Sequence, residues 1–228
     1  MKSPSPHISQ RFNETLSILR EELSRMAEQV TANVDRAVSG LLRLDLEQCN
    51  NVIADDTDVD DAQMRIDRLV MEILLRFQPV AIDLRYVISA IRVAGNLERI
   101  SDHAVNIAKR ARKILAVSPV ALPDITEFEE LYRLASEELS DSVRSFVDGD
   151  SKLGESLQQR DKELDRLHKI LVAKLSAKVE AGGEHTENLV HLIFAARSLE
   201  RIGDLAQNIG EDSAYLENSD DIRHRNRD

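Results

Sequence analysis

The segment LERISDHAVNI (97–107) returns almost unchanged as LERIGDLAQNI (199–209), with eight of eleven positions identical at an offset of 199 − 97 = 102. A second echo precedes it: Asp56-x-x-x-Asp60 is answered by Asp161-x-x-x-Asp165, at an offset of 161 − 56 = 105. The fall from 105 to 102 makes the connecting loop of the second copy about three residues shorter. Self-similarity at one period constrains a fold more than any single motif, because each copy must form the same unit and bury the same face.

The unit is helical. In the first copy Tyr86, Ala90, Val93, Leu97, Ile100, Ala104, Ile107, Ala111 and Ile114 alternate at spacings of four and three. Phe12, Leu16, Leu19, Leu23, Met26 and Val30 do the same near the start, and Leu192, Ala195, Leu199, Ile202, Ala206 and Ile209 near the end. That repeat marks long helices packed side by side. No stretch alternates with period two, so no sheet is expected. Breaks fall at Asp45 with Gln48 and at Asp124 with Glu127 (both resembling capping boxes), at Pro79, in VSPVALPD (117–124), at Gly149 and at Gly182-Gly183. The pattern predicts six helices, 8–44, 46–77, 80–116, 125–147, 151–180 and 186–217, most of them roughly 40–55 Å long at about 1.5 Å per residue. The expected fold is all-α: two tandem three-helix bundles over 1–118 and 123–217, followed by a polar tail, 218–228, expected to be disordered.

Composition agrees and narrows the partners. Of 228 residues 42% are apolar, enough for a substantial core, while eight Gly and five Pro leave few places to turn the chain. The single cysteine, Cys49, cannot form an internal disulfide and reads as a small core residue. The opening MKSPSPHISQ has no apolar stretch of a signal peptide, and no apolar run approaches the ~18–20 residues that span a bilayer. A cytoplasmic location is the expectation. A net charge of −11 argues against nucleic acid or an anionic lipid surface as direct partner, so any membrane association would run through other proteins.

The repeated phrase also carries chemistry. At about 100° per residue, Glu98, Asp102 and Asn106 lie on one face away from the apolar seam, and Glu200, Asp204 and Asn208 repeat the arrangement. Asp56 and Asp60, like Asp161 and Asp165, sit at the flank of their own seam. If the second and third helices of each copy are neighbours, Asp56, Asp60, Glu98 and Asp102 meet in one groove, and Asp161, Asp165, Glu200 and Asp204 in another. Carboxylates one turn apart repel unless a cation joins them. Oxygen-only ligands suit magnesium, calcium, manganese or iron. The plainer alternative is that these acids are solvated or paired with Arg99 and Arg201 beside them. His103, His168 and His191 recur in no matching position and are weaker candidates. No Glu-x-x-His, HExxH, phosphate-cradling glycine loop or G-x-S-x-G occurs. Met64 and Met71 read as packing residues.

Three stretches carry a family resemblance: FNETLSILREELSRM, RFQPVAIDLRYVISAIRVAGNLERISDHAVNIAKRA and HLIFAARSLERIGDLAQNI. Together they resemble the PhoU family of phosphate-signalling proteins over about residues 8–217. The resemblance implies regulation rather than catalysis. It implies a cytoplasmic negative regulator of the phosphate-starvation response, linking the Pst phosphate transporter ATPase to a PhoR-type sensor histidine kinase, and a homodimer. It further implies metal clusters of iron, manganese, zinc or magnesium on the E(D)-x-x-x-D pairs Asp56/Asp60, Glu98/Asp102, Asp161/Asp165 and Glu200/Asp204, with Asn106 and Asn208 one turn beyond as ligands or ligand supports. Ser101 stands where the family usually has Gly, Leu205 where it has His, and Asp83-Leu84-Arg85 is unmatched at 185–187; the second cluster is therefore expected to bind metal more weakly or differently. The alternatives are a carboxylate-cluster metalloenzyme, an accessory regulator of another phosphate permease, and a purely structural bundle.

Overall fold

The computed structural model describes residues 6–117, 126–182 and 185–218. Among them every regular element is an α-helix: α1 (Pro6–Arg43), α2 (Leu46–Ala54), α3 (Asp56–Phe77), α4 (Ala81–Val117), α5 (Thr126–Asp148), α6 (Ser151–Glu180) and α7 (Thr186–Asn218). The all-α tandem arrangement is as the repeat predicts. The connection proposed to divide the copies at 119–123, the cap at Asp124, Gly183 and nearly all of the polar tail lie outside the described residues.

One predicted element is corrected. The helix expected over 46–77 is broken at Asp55 into α2 and α3. Asp55 donates its N–H to Asn51 O at 2.9 Å and accepts from Asp58 N at 3.1 Å, so the chain tightens to an i→i+3 turn. Its carboxylate is drawn aside by Arg36 of α1, Nη2 to Oδ2 2.6 Å. In the second copy α6 passes the same place unbroken, and the corresponding pair has its charges exchanged: Asp141 (36 + 105) on α5 binds Arg160 (55 + 105) on α6.

The other boundaries follow local rules. Asp45 accepts from the N–H groups of Glu47 and Gln48 at 3.0 and 3.1 Å, and the Gln48 side chain donates back to it at 2.9 Å. Leu44 takes a left-handed conformation (φ 55°), which lets Asp45 N–H reach Gly40 O at 2.9 Å and close α1. The junction of α3 and α4 bends sharply around Pro79, with Gln78 (φ 47°) and Ala81 (φ 50°) both left-handed. Each costs about 1–2 kcal/mol, so the packed helices on either side must hold this turn.

The three apolar series read from the sequence are buried, apart from Phe12, which is partly buried against the core. The central helices bury more than one seam. Besides its predicted stripe α4 buries Val87, Ala94, Ser101, Val105 and Ala108, because it packs on α7 as well as on α1 and α3. The two helices that carry the repeated phrase run antiparallel. Arg85 Nε donates to Leu216 O at 3.3 Å, Arg92 reaches Asp212 at 3.3 Å, and the Arg110 guanidinium lies 4.2 Å from the centre of the Phe194 ring. Tyr86 stacked on Phe146 at 5.3 Å and Tyr132 donating to Asp35 at 2.7 Å tie the copies further. The apolar core is thereby continuous through both. Cys49 is buried within it, where burial pushes its thiol up to about 11. Met64 and Met71, expected to pack, are instead exposed on α3 at 48% and 54%; they fall on the solvent side of the Val59–Ala62–Ile66–Val70–Ile73 stripe.

The second copy packs its helices more closely. A Cβ placed on Gly154 of α6 would stand 2.5 Å from Gly210 O of α7. The matching positions in the first copy hold larger residues, Cys49 (154 − 105) and Ala108 (210 − 102). In the second copy only glycine at both places allows the two backbones to touch.

Candidate metal centre

Each carboxylate group is assembled by two neighbouring helices, α3 with α4 and α6 with α7. In both, one helix presents an acid pair at its flank and the other presents the E-x-x-x-D of the repeated phrase.

In the first group Asp56 and Glu98 are partly buried, while Asp60 and Asp102 are exposed. Burial raises the Asp56 carboxyl above its ordinary range, and the Asp102 charge adds to this. Burial likewise raises Glu98, with Asp102, Asp60 and Asp56 contributing. The charges of Asp60 and Asp102 thus reach both Asp56 and Glu98, as the helical spacing implies. Asp56 has an internal partner, since the buried Ser101 hydroxyl donates to it at 3.2 Å. Asn106, one turn beyond, is exposed.

The second group is deeper. Asp161, Asp165, Glu200 and Asp204 are all partly buried, as is Asn208. One oxygen each from Asp165, Glu200 and Asp204 lies within 4.8 Å of the others, the only such trio among the described residues. Ligand oxygens on one ion with bonds of about 2.0–2.6 Å stand roughly 3–5 Å apart, so a trio within that bound is of a size that a divalent cation spans. Asp161 Oδ1 is buried without a hydrogen-bond partner. Burial, then Asp204, Asp165 and Glu200, push Asp161 up to about 7. Glu200 and Asp204 are raised too, chiefly by burial. Oxygen-only donors, mutual repulsion and an unpartnered buried oxygen fit a hard divalent cation. The plainer alternative holds in part: Arg201 Nη1 binds Asp204 at 2.7 Å and its Nε stands 3.3 Å from Glu200 Oε2, and Lys169 is 3.7 Å from Asp165.

Sequence reasoning missed Glu138 of α5. It is 1% exposed, and neither carboxylate oxygen has a hydrogen-bond partner. Burial, then the charge of Asp161, push it up to about 8, with Asp165 and Asp204 adding. A Cβ on Gly203, the residue before Asp204, would lie 3.2 Å from Glu138 Oε2. The signal was present: Glu138 occupies a core position in the series Leu131, Leu134, Ala135, Glu138, Ser142, Ser145. The histidines contribute less. His103 and His168 are partly buried and held below the ordinary imidazole range mainly by desolvation, and the buried His191 is 3.9 Å from Glu187.

Comparison with known proteins places the fold in a family. The PhoU domain family matches residues 23–111 and 128–213, one match in each copy. A Pseudomonas putida protein named phosphate-specific transport system accessory protein PhoU homolog is 34% identical over 225 residues, covering 98% of this chain and 87% of its own. A homologue of the same name from Rhizobium meliloti (strain 1021) is 34% identical over 92% of this chain and 88% of its own. The crystal structure of PhoU from Pseudomonas aeruginosa superposes with a TM-score of 0.86 at 31% identity, covering 90% of this chain and 98% of that one. The phosphate transport system regulatory protein PhoU from Streptococcus pneumoniae, 24% identical, shares the fold with a TM-score of 0.85 over 92% of this chain and 99% of its own. With both copies matched and close likeness along nearly the whole length, the chain belongs to the PhoU family.

Proposed function

We propose that this chain is an accessory regulator of phosphate transport that restrains the phosphate-starvation response when phosphate is plentiful. It acts in the cytoplasm as a non-catalytic adaptor between the ATPase of a Pst-type transporter and a PhoR-type sensor histidine kinase, and it works as a homodimer. The observation that carries this reading is likeness along nearly the whole chain to proteins named phosphate-specific transport system accessory protein. The absence, among the described residues, of any helix long and apolar enough to cross a membrane supports attachment through partner proteins, as does the net charge of −11.

In the same reading the two carboxylate groups bind iron, manganese, zinc or magnesium. Asp56, Asp60, Glu98 and Asp102 hold metal in one copy, Asp161, Asp165, Glu200 and Asp204 in the other, with Asn106 and Asn208 supporting them. A bound cation would cross-link α3 to α4 and α6 to α7 and cancel the repulsion between their acids. Deleting the gene is expected to derepress phosphate-starvation genes in cells grown at high phosphate. Unchanged expression in that test would overturn the regulatory role.

A further inference from the structure

The two carboxylate groups differ most in what stands behind them on the third helix. At offset 105 Glu138 corresponds to Asn33 of α1, and at offset 102 Gly203 corresponds to Ser101. In the first copy the oxygens at both positions have local partners, Asn33 Oδ1 accepting from Arg36 at 2.5 Å and Ser101 donating to Asp56 at 3.2 Å, and the one group left over is the Asn33 amide nitrogen, a donor that no cation could bind. In the second copy the missing side chain of Gly203 leaves room at α7, and the Glu138 carboxylate fills it, with Oε2 3.2 Å from where a Cβ would lie. Neither oxygen of Glu138 has a partner there, and Asp161 Oδ1 beside it has none.

We propose that Glu138 is a fifth carboxylate ligand of the second cluster, so that α5, α6 and α7 together close its cation site, a closure that the first copy lacks. This rests on the metal reading of the acid groups given above. A buried acid can be satisfied by a proton or by a cation. A proton shared between Glu138 and Asp161 Oδ1 would satisfy one oxygen of each, but would leave the second Glu138 oxygen buried without a partner. A divalent cation among Glu138, Asp161, Asp165, Glu200 and Asp204 offsets two of their five negative charges, with Arg201 offsetting a third, and supplies the missing contact. Arg160 on Asp141 and Arg201 on Glu200 and Asp204 lie at the edge of the site and leave the inner oxygens of Glu138 and Asp161 untouched. The second copy is then the tighter of the two, the reverse of what Leu205 in place of histidine suggests.

The test uses the full chain, stripped with chelator and titrated with Mn2+, with free Mn2+ read from its electron paramagnetic resonance signal. Wild-type protein is expected to show one tighter class of sites and one weaker. Glu138→Gln, which keeps the shape of the neutral acid, should weaken the tighter class by about tenfold to a hundredfold. Asp161→Asn should do the same, and Glu98→Gln should leave that class alone. Circular dichroism in chelator should show the Glu138→Gln chain folded as the wild type is, separating lost affinity from lost fold. Tight binding by Glu138→Gln equal to wild type, with Glu200→Gln abolishing it, would overturn the role of Glu138 and leave the metal reading intact. No tight Mn2+ binding by the wild type would overturn both.

Discussion

The two copies of the repeated unit hold the same four acids at the same helical spacing, yet they offer a cation different surroundings. The first is shallow, with two of its four acids exposed and Asp56 partnered by Ser101. The second is deep, brings three ligand oxygens within 4.8 Å, and has an unpartnered glutamate behind it. The cause lies outside the motif, in the residues of α1 and α5 and in a serine exchanged for glycine. A repeated ligand pattern therefore fixes where a site can form, while the third helix of the bundle decides how closed it is.

The comparison can be broken at the packing that sets depth. Gly154→Ala would drive a methyl into Gly210 O, and relieving that contact should destabilise the protein by about 1–3 kcal/mol. The matching first-copy change, Cys49→Ala, removes only a sulfur and should cost less. Chemical denaturation compares the two directly. An unchanged midpoint for Gly154→Ala would mean that the α6–α7 backbones are not in the close contact on which the depth of the second group depends.

The next effect is on pH. Glu138 and Asp161 are raised to about 8 and about 7 from ordinary values of 4.5 and 3.8. Groups raised on folding contribute stability that is full below their unfolded values and lost as pH climbs through the folded ones. Metal-free protein should therefore melt at a lower temperature at about pH 8.5 than at about pH 5, with the decline spread across that interval. Glu138→Gln should flatten the decline, and an unchanged slope would assign it to other groups.

The comparison can also be sharpened by transfer. Joining Asn33→Glu with Ser101→Gly gives the first copy the residues that deepen the second. Mn2+ affinity there is expected to rise by about tenfold. Isothermal titration of the double variant checks this, and unchanged affinity would mean that the third helix does not decide closure. The smallest effect concerns the exchanged ion pairs. Arg160→Met breaks a partly buried pair and should cost no more than about 1 kcal/mol. Arg36→Met should cost the more, because it also takes the Arg36 donor from Oδ1 of the buried Asn33.

Much of this was legible in the sequence, for particular reasons. The four-three spacing of Leu97, Ile100, Ala104 and Ile107 announced helices, and the repeat announced that there would be two similar bundles. The capping role of Asp45 followed from Gln48 three residues later. The break at Asp55 was hidden because its tightened turn contains neither Gly nor Pro to mark it. The second buried face of α4 was hidden because alanines and serines such as Ala94, Ala108 and Ser101 suit either a surface or a close helix contact. The four acid pairs could be grouped by angle alone. Glu138 could not, since the residues at the pair spacing on either side of it, Leu134 and Ser142, are not acids, and only its place in an apolar series marks it.

The account's central claim is that the second copy builds the closed cation site, and it is tested most directly by crystals of the full chain grown with Mn2+, using anomalous scattering to locate the ion. An anomalous peak is expected among α5, α6 and α7, with oxygens of Glu138, Asp161, Asp165, Glu200 and Asp204 at about 2.1–2.4 Å from it. A peak confined to Asp56, Asp60, Glu98 and Asp102, or one in the second copy with Glu138 turned away from it, would contradict that claim.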